Sequence, residues 1–593
     1  MKKIILFFVL LINTSAFAQN DFDFFKGFDV NLNTFSYDRL LLSDDTFLVP
    51  IPFNKSAYYL DNNIVVNNPH FVPQAGLKNQ KLLFARYNTN GQLINYFTLN
   101  SNGYEVLKDV RIDANDDLYL VYEVDNGYEL NGVTYFANSI QPESKNMIVK
   151  LGNIKNVANG QYPSVVFTKT LIGNAGYINL HIANTNEVHF MAVTNQAGVT
   201  IDGVFYPNPT PHSNKNLQRI IIGKLNTTAP GLAWLTNSTN NINESFTDPN
   251  IFQGSFHLKT DSNKNVYLVG NIRGAKATFG STTINNDLFP NIKLFMLKLN
   301  SSGNVTWAKS PTLSLNKGLI LGAVDFEIDE HNNLYLLEQY LGVSPSQSMV
   351  DYWGTSYTLN KNNSTLLKLD SNAQVIWIKQ PTIDIGYNTL FRLEGFEIVN
   401  TKILVFGYFR GRLDYGNGIK LQSDNDFKWL SLEINRDTKD IDNYYVLDTS
   451  LPIMPFHLLG IDKSNSLWFS SITASNGNSQ AYIGSLNYHF TGISGTQTLI
   501  YFRSAPVTLD NKMFEYIDLS VFPNPTENKL YINGQDLINQ NYQIYDMLGK
   551  LINFGKIENN EINVETISNG TYLLKIYDKD DFRKNKTLKF IKH

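Results

Sequence analysis

The 593-residue sequence has no cysteine. That excludes a disulfide framework, a thiolate metal site and cysteine nucleophiles together. Charge is scarce as well. Asp, Glu, Lys and Arg make up 17%, against about 25% in an ordinary soluble domain. The formal net charge of −4 supplies no field that would attract nucleic acid or an anionic membrane, so neither is expected as a partner. Beyond the N-terminus no apolar run approaches the roughly 20 residues of a membrane span, so no transmembrane anchor is expected in the mature chain. A G-x-S-x-G elbow, a phosphate-binding Walker loop and an H-E-x-x-H helix are all missing, which removes the commonest hydrolase, nucleotidase and zinc-protease sites. What is present is apolar and aromatic: 43% hydrophobic residues, with 32 Tyr and 38 Phe. With Asn, Ser and Thr carrying the polar load, this composition suits pleated sheets joined by Asn-rich turns.

The N-terminus reads as a targeting signal. Lys2 and Lys3 precede a continuous apolar run from Ile4 to Ile12, and Ala16-Phe17-Ala18 then matches a small-residue cleavage site. Residues 1–18 are therefore expected to be a signal peptide, with cleavage between Ala18 and Gln19.

The body repeats. Asp113-Ala-Asn-Asp-Asp-Leu-Tyr-Leu returns as Asp261-Ser-Asn-Lys-Asn-Val-Tyr-Leu, Asp329-Glu-His-Asn-Asn-Leu-Tyr-Leu and Asp462-Lys-Ser-Asn-Ser-Leu-Trp-Phe, with looser versions near Ser43, Asn184 and Asn400. Marked at Thr46, Leu118, Val188, Val266, Leu334, Ile403 and Leu467, the units recur at intervals of 64 to 78 residues. A second marker, an apolar strand with one polar residue, falls at Arg86, Lys150, Lys224, Lys298, Lys368, Glu433 and Ser485. An aromatic follows in several units: Phe167, Trp234, Trp307 and Trp377. Seven units of two hairpins each are expected over residues 19–502. Four strands cannot bury both of their faces alone, whereas radial repetition lets neighbours cover each other. The pattern resembles the SBBP-type β-propeller repeat family, most closely between Phe256 and Lys309. The resemblance implies an all-β fold of about seven propeller blades.

A linker is expected over 503–517, and from 518 the pattern changes. Pro523-Asn524-Pro525 opens a run of short alternating strands; Asp546-Met-Leu-Gly549-Lys550 and Asn569-Gly570 mark tight turns, Tyr572 follows, and Lys592 stands just before the end. The prolines hold the chain extended and the Asx-Gly pairs reverse it, which predicts a small antiparallel, immunoglobulin-like β-sandwich over 518–593. These motifs, in this order, resemble the type A C-terminal sorting domain of type IX secretion. The resemblance implies a Bacteroidota host, the type IX machinery as a partner through residues 518–593, and Sec export followed by outer-membrane translocation. A secreted or surface-attached product, with the sorting domain removed in the linker, is implied as well.

Few residues offer chemistry. The Asp113-Asn115-Asp117 and Asp261-Asn263-Asn265 turns imitate the start of a calcium loop, yet Leu118 and Val124 stand where an EF-hand needs Gly and Glu. Calcium is the one cofactor left open, and an Asx turn is the simpler reading. His181 and His189 flank a hairpin turn at Thr185, which predicts two imidazoles facing each other across strands, a candidate metal pair. The recurring Arg86, Lys150, Lys224, Lys298 and Lys368 could form a ring for an anionic ligand, or each could pair with a turn of its own or an adjacent blade. Tyr128, Tyr206, Tyr352, Trp353 and Tyr415 are candidate ligand-binding loop aromatics. No catalytic or cofactor-binding residue is assigned. The expected function is a surface or secreted binding protein for a glycan or another protein. The alternatives are a polysaccharide hydrolase or lyase at the channel mouth, and a structural surface component.

Overall fold

The computed structural model describes residues 22–30, 40–60, 64–71, 80–137, 143–173, 175–184, 187–194, 198–208, 218–242, 256–289, 291–314, 320–341, 348–359, 363–383, 389–448, 456–461, 467–474, 480–483, 486–489, 497–504, 520–533, 541–547, 550–557, 559–577 and 585–593. Ala18, Gln19, Gly549 and the segment 505–517, named above as processing, turn and linker positions, lie outside them. The chain divides into two compact units, Met1–Val507 and Thr508–His593. Apart from a 3-10 turn at Ile154–Asn156, the described secondary structure is all β.

The first unit is a seven-bladed β-propeller. Its second blade runs outward through Val106–Ile112, Leu118–Val124, Lys145–Gly152 and Ser164–Ile172, every neighbour antiparallel. The next four blades repeat this order, and their innermost strands stand side by side: Val106–Ile112, Ala175–Asn184, His257–Thr260, Ile320–Ile328, Leu390–Val399 and then Phe456–Ile461. The second strand of each blade is nearly all apolar, as in Leu118–Val124 (LYLVYEV) and Val266–Ile272 (VYLVGNI). Both of its faces are covered by adjacent blades, so a continuous rather than alternating pattern is what burial requires. The seven strand markers each sit within one residue of the start of this second strand.

The ring closes with a strand from the opposite end of the chain. Phe22–Val30 pairs antiparallel with Gln497–Ser504 and forms the outermost strand of the seventh blade. Trp468 of that blade packs against Phe47 of the first, the rings tilted and their centroids 4.5 Å apart. The closing strand Gln497–Ser504 runs two residues past the expected end of the propeller at 502.

Two further expectations need correction. Five of the units contain six described strands rather than four, because the connection between the second and third strands carries an extra hairpin, such as Gly198–Ile201 with Val204–Pro207 or Lys276–Phe279 with Thr282–Asn285; in the sixth blade Lys402–Asp414 and Lys420–Asn435 themselves run on into the hairpin. These hairpins pair with the outer strand of the preceding blade: Leu171 opposite Ile201, and Ser238 opposite Phe279. An open blade would present a bare edge to other chains, and the next blade's hairpin covers it. The second correction concerns the basic marker of the seventh blade, since Ser485 lies outside the described residues. The residue opposite Trp468, equivalent to Lys368 opposite Tyr335, is Arg503. The basic marker therefore recurs in six of the seven blades, with Glu433 as the exception.

Adjacent blades are latched near the axis. Innermost strands bulge at Leu107/Asp109 and Ala323/Asp325, and each bulge aims a carboxylate at the next blade. Asp109 accepts from the backbone N–H of Leu180 at 2.6 Å, and Asp325 from that of Phe396 at 3.0 Å. Asn271 does the same for Ala323 at 3.1 Å. Each latch satisfies an inner-strand donor that would otherwise be buried without a partner.

The second unit is a sandwich of two antiparallel sheets. One holds Ser520–Phe522, Lys529–Asn533 and Glu561–Asn563; the other runs Leu551–Lys556, Asn541–Asp546, Gly570–Tyr577, Asn585–Lys592. Leu530, Ile544, Ile562, Leu574, Ile576 and Phe590 fill the space between the sheets.

Candidate functional site

The Asp-x-Asn turns are closed by their own backbone. Asp113 accepts from the N–H groups of Asn115 (2.9 Å) and Asp117 (3.1 Å), Asp261 from those of Asn263 (3.0 Å) and Asn265 (2.8 Å). The other oxygen of each carboxylate accepts a tyrosine hydroxyl at 3.1 Å, from Tyr119 and Tyr267 respectively. These are Asx turns holding the chain between two strands.

The basic residues are not a ligand-facing ring. Three stand on the third strand opposite an aromatic of the second and an aromatic of the fourth: Lys150 between Tyr119 and Phe167, Lys298 between Tyr267 and Trp307, Lys368 between Tyr335 and Trp377. The two rings meet edge to face across each lysine, at 6.0, 6.1 and 6.2 Å. The ammonium groups reach turns: Lys150 pairs with Asp113 (3.1 Å) and Asp117 (3.0 Å) of its own blade. Lys298 donates to the carbonyl of Ser371 and Lys368 to that of Arg436, both at 3.1 Å and both in the following blade. Arg86 reaches Lys155 O at 2.8 Å in the same manner. Lys150 and Lys224 therefore fasten their own blades, Arg86, Lys298 and Lys368 tie blade to blade, and the ammonium groups of Lys150, Lys298 and Lys368 lie over tyrosine faces.

His181 and His189 do stand directly opposite, their rings 6.4 Å apart. The third blade has His189 where its neighbours have Tyr119 and Tyr267, and the imidazole packs 5.7 Å from Trp234 as those tyrosines pack on their partners. Burial, with a contribution from the Lys224 charge, lowers its pKa from the usual 6.5 to about 4, so it is neutral. His181 Nε2 meets Thr260 Oγ1 at 2.9 Å in the fourth blade. Among the described residues no group of three or more His, Asp or Glu is arranged to hold a metal ion. The two imidazoles would be the only side chains of the pair offered to one.

The loop aromatics divide into two sets. Tyr128 and Tyr352 are fully buried and Tyr415 is 9% exposed, which corrects their reading as ligand contacts. Tyr128 begins an inserted hairpin, whereas Tyr352 and Tyr415 stand beside the turns of theirs. The Tyr128 hydroxyl donates to Glu105 at 3.2 Å, and burial pushes the Tyr415 hydroxyl well above its usual pKa. Tyr206 is partly buried, its hydroxyl accepting from Leu232 N at 2.8 Å. Trp353 remains partly exposed at a hairpin tip.

Two buried acids titrating near 7 were not foreseen, Glu338 and, on the innermost strand of the sixth blade, Glu394, which pairs with Arg392 at 2.5 Å. Glu338 on the second strand of the fifth blade is fully buried and accepts hydroxyls from Tyr340, Tyr352 and Tyr357. Desolvation outweighs these donors and raises its pKa from 4.5 to about 7. The sequence signal was present: a lone Glu inside the apolar run Leu334–Leu341, with tyrosines in the hairpin that follows.

In the C-terminal unit the motif residues hold the final strand. The Asn524 side chain accepts from Ile591 N (2.8 Å) and donates to Lys589 O (3.2 Å), imitating a ladder pair beside the last strand. Thr526 N donates to Ile591 O and His593 N to Thr526 O, at 2.8 and 2.9 Å. Asp546 caps its turn by accepting from Lys550 N at 2.9 Å. Tyr572, two residues after Gly570, donates to Ser568 O at 2.7 Å and stacks on Phe590. Lys592 is buried, its ammonium on His593 O at 2.6 Å. Residues 520–592 match the family described as the secretion system C-terminal sorting domain. This unit is a type IX sorting domain. It marks the chain for the outer membrane and from there for the cell surface or the medium, and it implies contact with the type IX machinery. Among the described residues no helix is long and apolar enough to cross a membrane.

Solved structures similar to the chain are propeller-like and distant. PorZ, a bacterial surface component of the type IX secretion system of Porphyromonas gingivalis, is 10% identical over 89% of this chain and 72% of its own, with a TM-score of 0.21. The Dos1 propeller is 8% identical over 71% of this chain and 88% of its own, with a TM-score of 0.32. A polysaccharide lyase of family PL25, an ulvan lyase, is 10% identical over 67% and 78%, with a TM-score of 0.29 when bound to its -[GlcA(1-4)Rha3S]- ligand. No curated protein matches the chain.

Proposed function

We propose that the propeller is a binding scaffold displayed at or released from the cell surface, taking a glycan or a surface protein as ligand. The signal peptide of residues 1–18 would bring the chain to the periplasm through Sec, and the sorting domain would be removed within 505–517. The observation that carries the binding reading is the use made of the axial acids. A glycosidase needs two carboxyl groups facing a bond about 5 to 10 Å apart. Here Asp109 and Asp325 hold the backbone of the next blade, Glu327 pairs with Lys259 at 2.7 Å, and Asp109 also meets Arg111 at 3.2 Å. Acids engaged in this way support a frame whose inner face is structural and whose rim is left for recognition.

The test is binding of the secreted mature protein to a panel of polysaccharides and to proteins of the producing cell's surface, with calcium and then with a chelator. Saturable binding without release of new sugar ends supports the reading, and chelator sensitivity would bring the His181 and His189 pair or the Asp-x-Asn turns back as metal ligands. Appearance of reducing ends, or of unsaturated uronates, would make the protein an enzyme.

A further inference from the structure

The tips of two inserted hairpins share a chemistry that the fifth blade lacks. Asn131-Gly132 and Asp202-Gly203 both place two residues at positive φ, at 51° and 76° and at 50° and 79°. That is the geometry in which Asn-Gly and Asp-Gly make the tightest hairpin. The fifth blade has Trp353-Gly354 there, at 53° and 104°. A bulky side chain in the left-handed region costs on the order of 1–2 kcal/mol, and such strain persists where something else uses the residue.

The indole is held from below. Lys309, on the outer strand of the fourth blade, places its ammonium 4.8 Å from the Trp353 ring and 5.3 Å from that of Trp307. The same ammonium donates to Asn372 O at 2.5 Å, and its burial lowers its pKa. Tyr352, edge-on at 5.2 Å, supports the indole from the hairpin side. Three segments from two blades thus fix one partly exposed indole on the rim. Beside it stand exposed Gly354, Thr355 and Ser356, and Asp351 accepts from Gly354 N at 3.1 Å and from the Ser356 hydroxyl at 2.7 Å.

We propose that Trp353, held by Lys309 and Tyr352, is a stacking platform for the pyranose rings of a neutral polysaccharide. This rests on the binding reading above and names its ligand class and its place. The apolar C–H face of a hexopyranose matches an indole face, and a ring already immobilised loses little conformational freedom on binding. The Ser356 and Thr355 hydroxyls offer partners for sugar hydroxyls. The Asp351 carboxylate disfavours uronates and sulfated sugars.

The decisive variant is Trp353→Asn in the secreted mature protein, because Asn-Gly suits this turn better than Trp-Gly does. We expect its melting temperature to equal or exceed that of the parent. Its affinity for cellohexaose, laminarihexaose or chitohexaose, followed by tryptophan fluorescence and calorimetry, should fall roughly tenfold or more. Trp353→Phe keeps a smaller ring and should lose less. A lower melting temperature with unchanged sugar affinity would show the indole to be a structural clamp and overturn the proposal. Sugar binding that survives in Trp353→Asn at parental strength would also overturn it, while leaving the binding function standing elsewhere on the propeller. If the parent binds none of the three oligosaccharides, the platform is refuted for neutral glycans, and only capture of a surface protein would still support a binding function.

Discussion

Replacing Glu338 with Gln should change how the stability of the propeller depends on pH, more than it changes the stability itself. In the folded protein the carboxyl titrates near 7, against 4.5 when unfolded. Between those values the folded state holds a proton that the unfolded state has released. Stability from this group is therefore complete below about pH 4.5 and is lost as pH rises to 7, about 1.4 kcal/mol per unit and about 3 kcal/mol in all. His189 acts in the opposite direction. Its folded pKa is lowered from 6.5 to about 4, so the unfolded state binds the extra proton, and stability falls by a similar amount as pH drops through that window. Glu394, raised from 4.5 to about 7 by burial, acts in the same direction as Glu338, so between pH 6.5 and 4.5 the parent gains stability at two glutamates and loses it at His189. Glu338→Gln removes one of the two gains and leaves an acceptor for the three tyrosine hydroxyls. On acidification from pH 6.5 to 4.5 the variant should therefore fall behind the parent by about 3 kcal/mol. His189 and Glu338 lie in the third and fifth blades and share no partner, so their effects should add. Thermal and urea unfolding at pH 4.5, 5.5, 6.5 and 7.5 would measure this. Parallel pH profiles for parent and variant would refute the titration argument.

Other outcomes follow from the same contacts. Asp325→Ala leaves the Phe396 N–H of the next blade unsatisfied and should cost about 1–3 kcal/mol, read in a urea midpoint; a neutral result would mean that water replaces the latch. Deleting residues 22–30 removes the outermost strand of the seventh blade, and we expect early proteolytic cutting there, countered by adding the strand as a synthetic peptide; an unaltered digestion pattern would contradict strand closure. Asn524→Ala removes two bonds to the last strand of the sorting domain and should lower its stability by about 1–2 kcal/mol. Secreted protein should fall relative to cell-retained protein in an immunoblot, whereas equal secretion would separate the motif from sorting. Lys150→Met leaves Asp113 and Asp117 without their cation and should destabilise by about 3–5 kcal/mol, a larger loss than Lys224→Met, whose ammonium is more exposed.

Periodicity alone was enough to read the propeller from the sequence. A strand that is buried on both faces must be apolar at every position, so runs such as Leu118–Val124 stand out wherever they recur, and an Asx turn ahead of them needs its Asp at a fixed spacing. The sorting domain was readable for a similar local reason: Asn524, Asp546 and Tyr572 each bond the backbone within one small sandwich, so motif and fold are nearly one thing. What depended on the ring was not readable. That Phe22–Val30 completes the blade built from residues 456–504 follows from closing a circle, and pairing across more than 450 residues leaves no local mark. The inserted hairpins were folded into the repeat length because their partners belong to the preceding blade. The tyrosines looked like ligand contacts, and the basic residues could be read as a ring or as turn partners, because residue type shows chemistry but not direction. Only the packing of blade on blade turned Lys150, Lys368 and Tyr352 inward to tie the frame together, and left Trp353 at the rim.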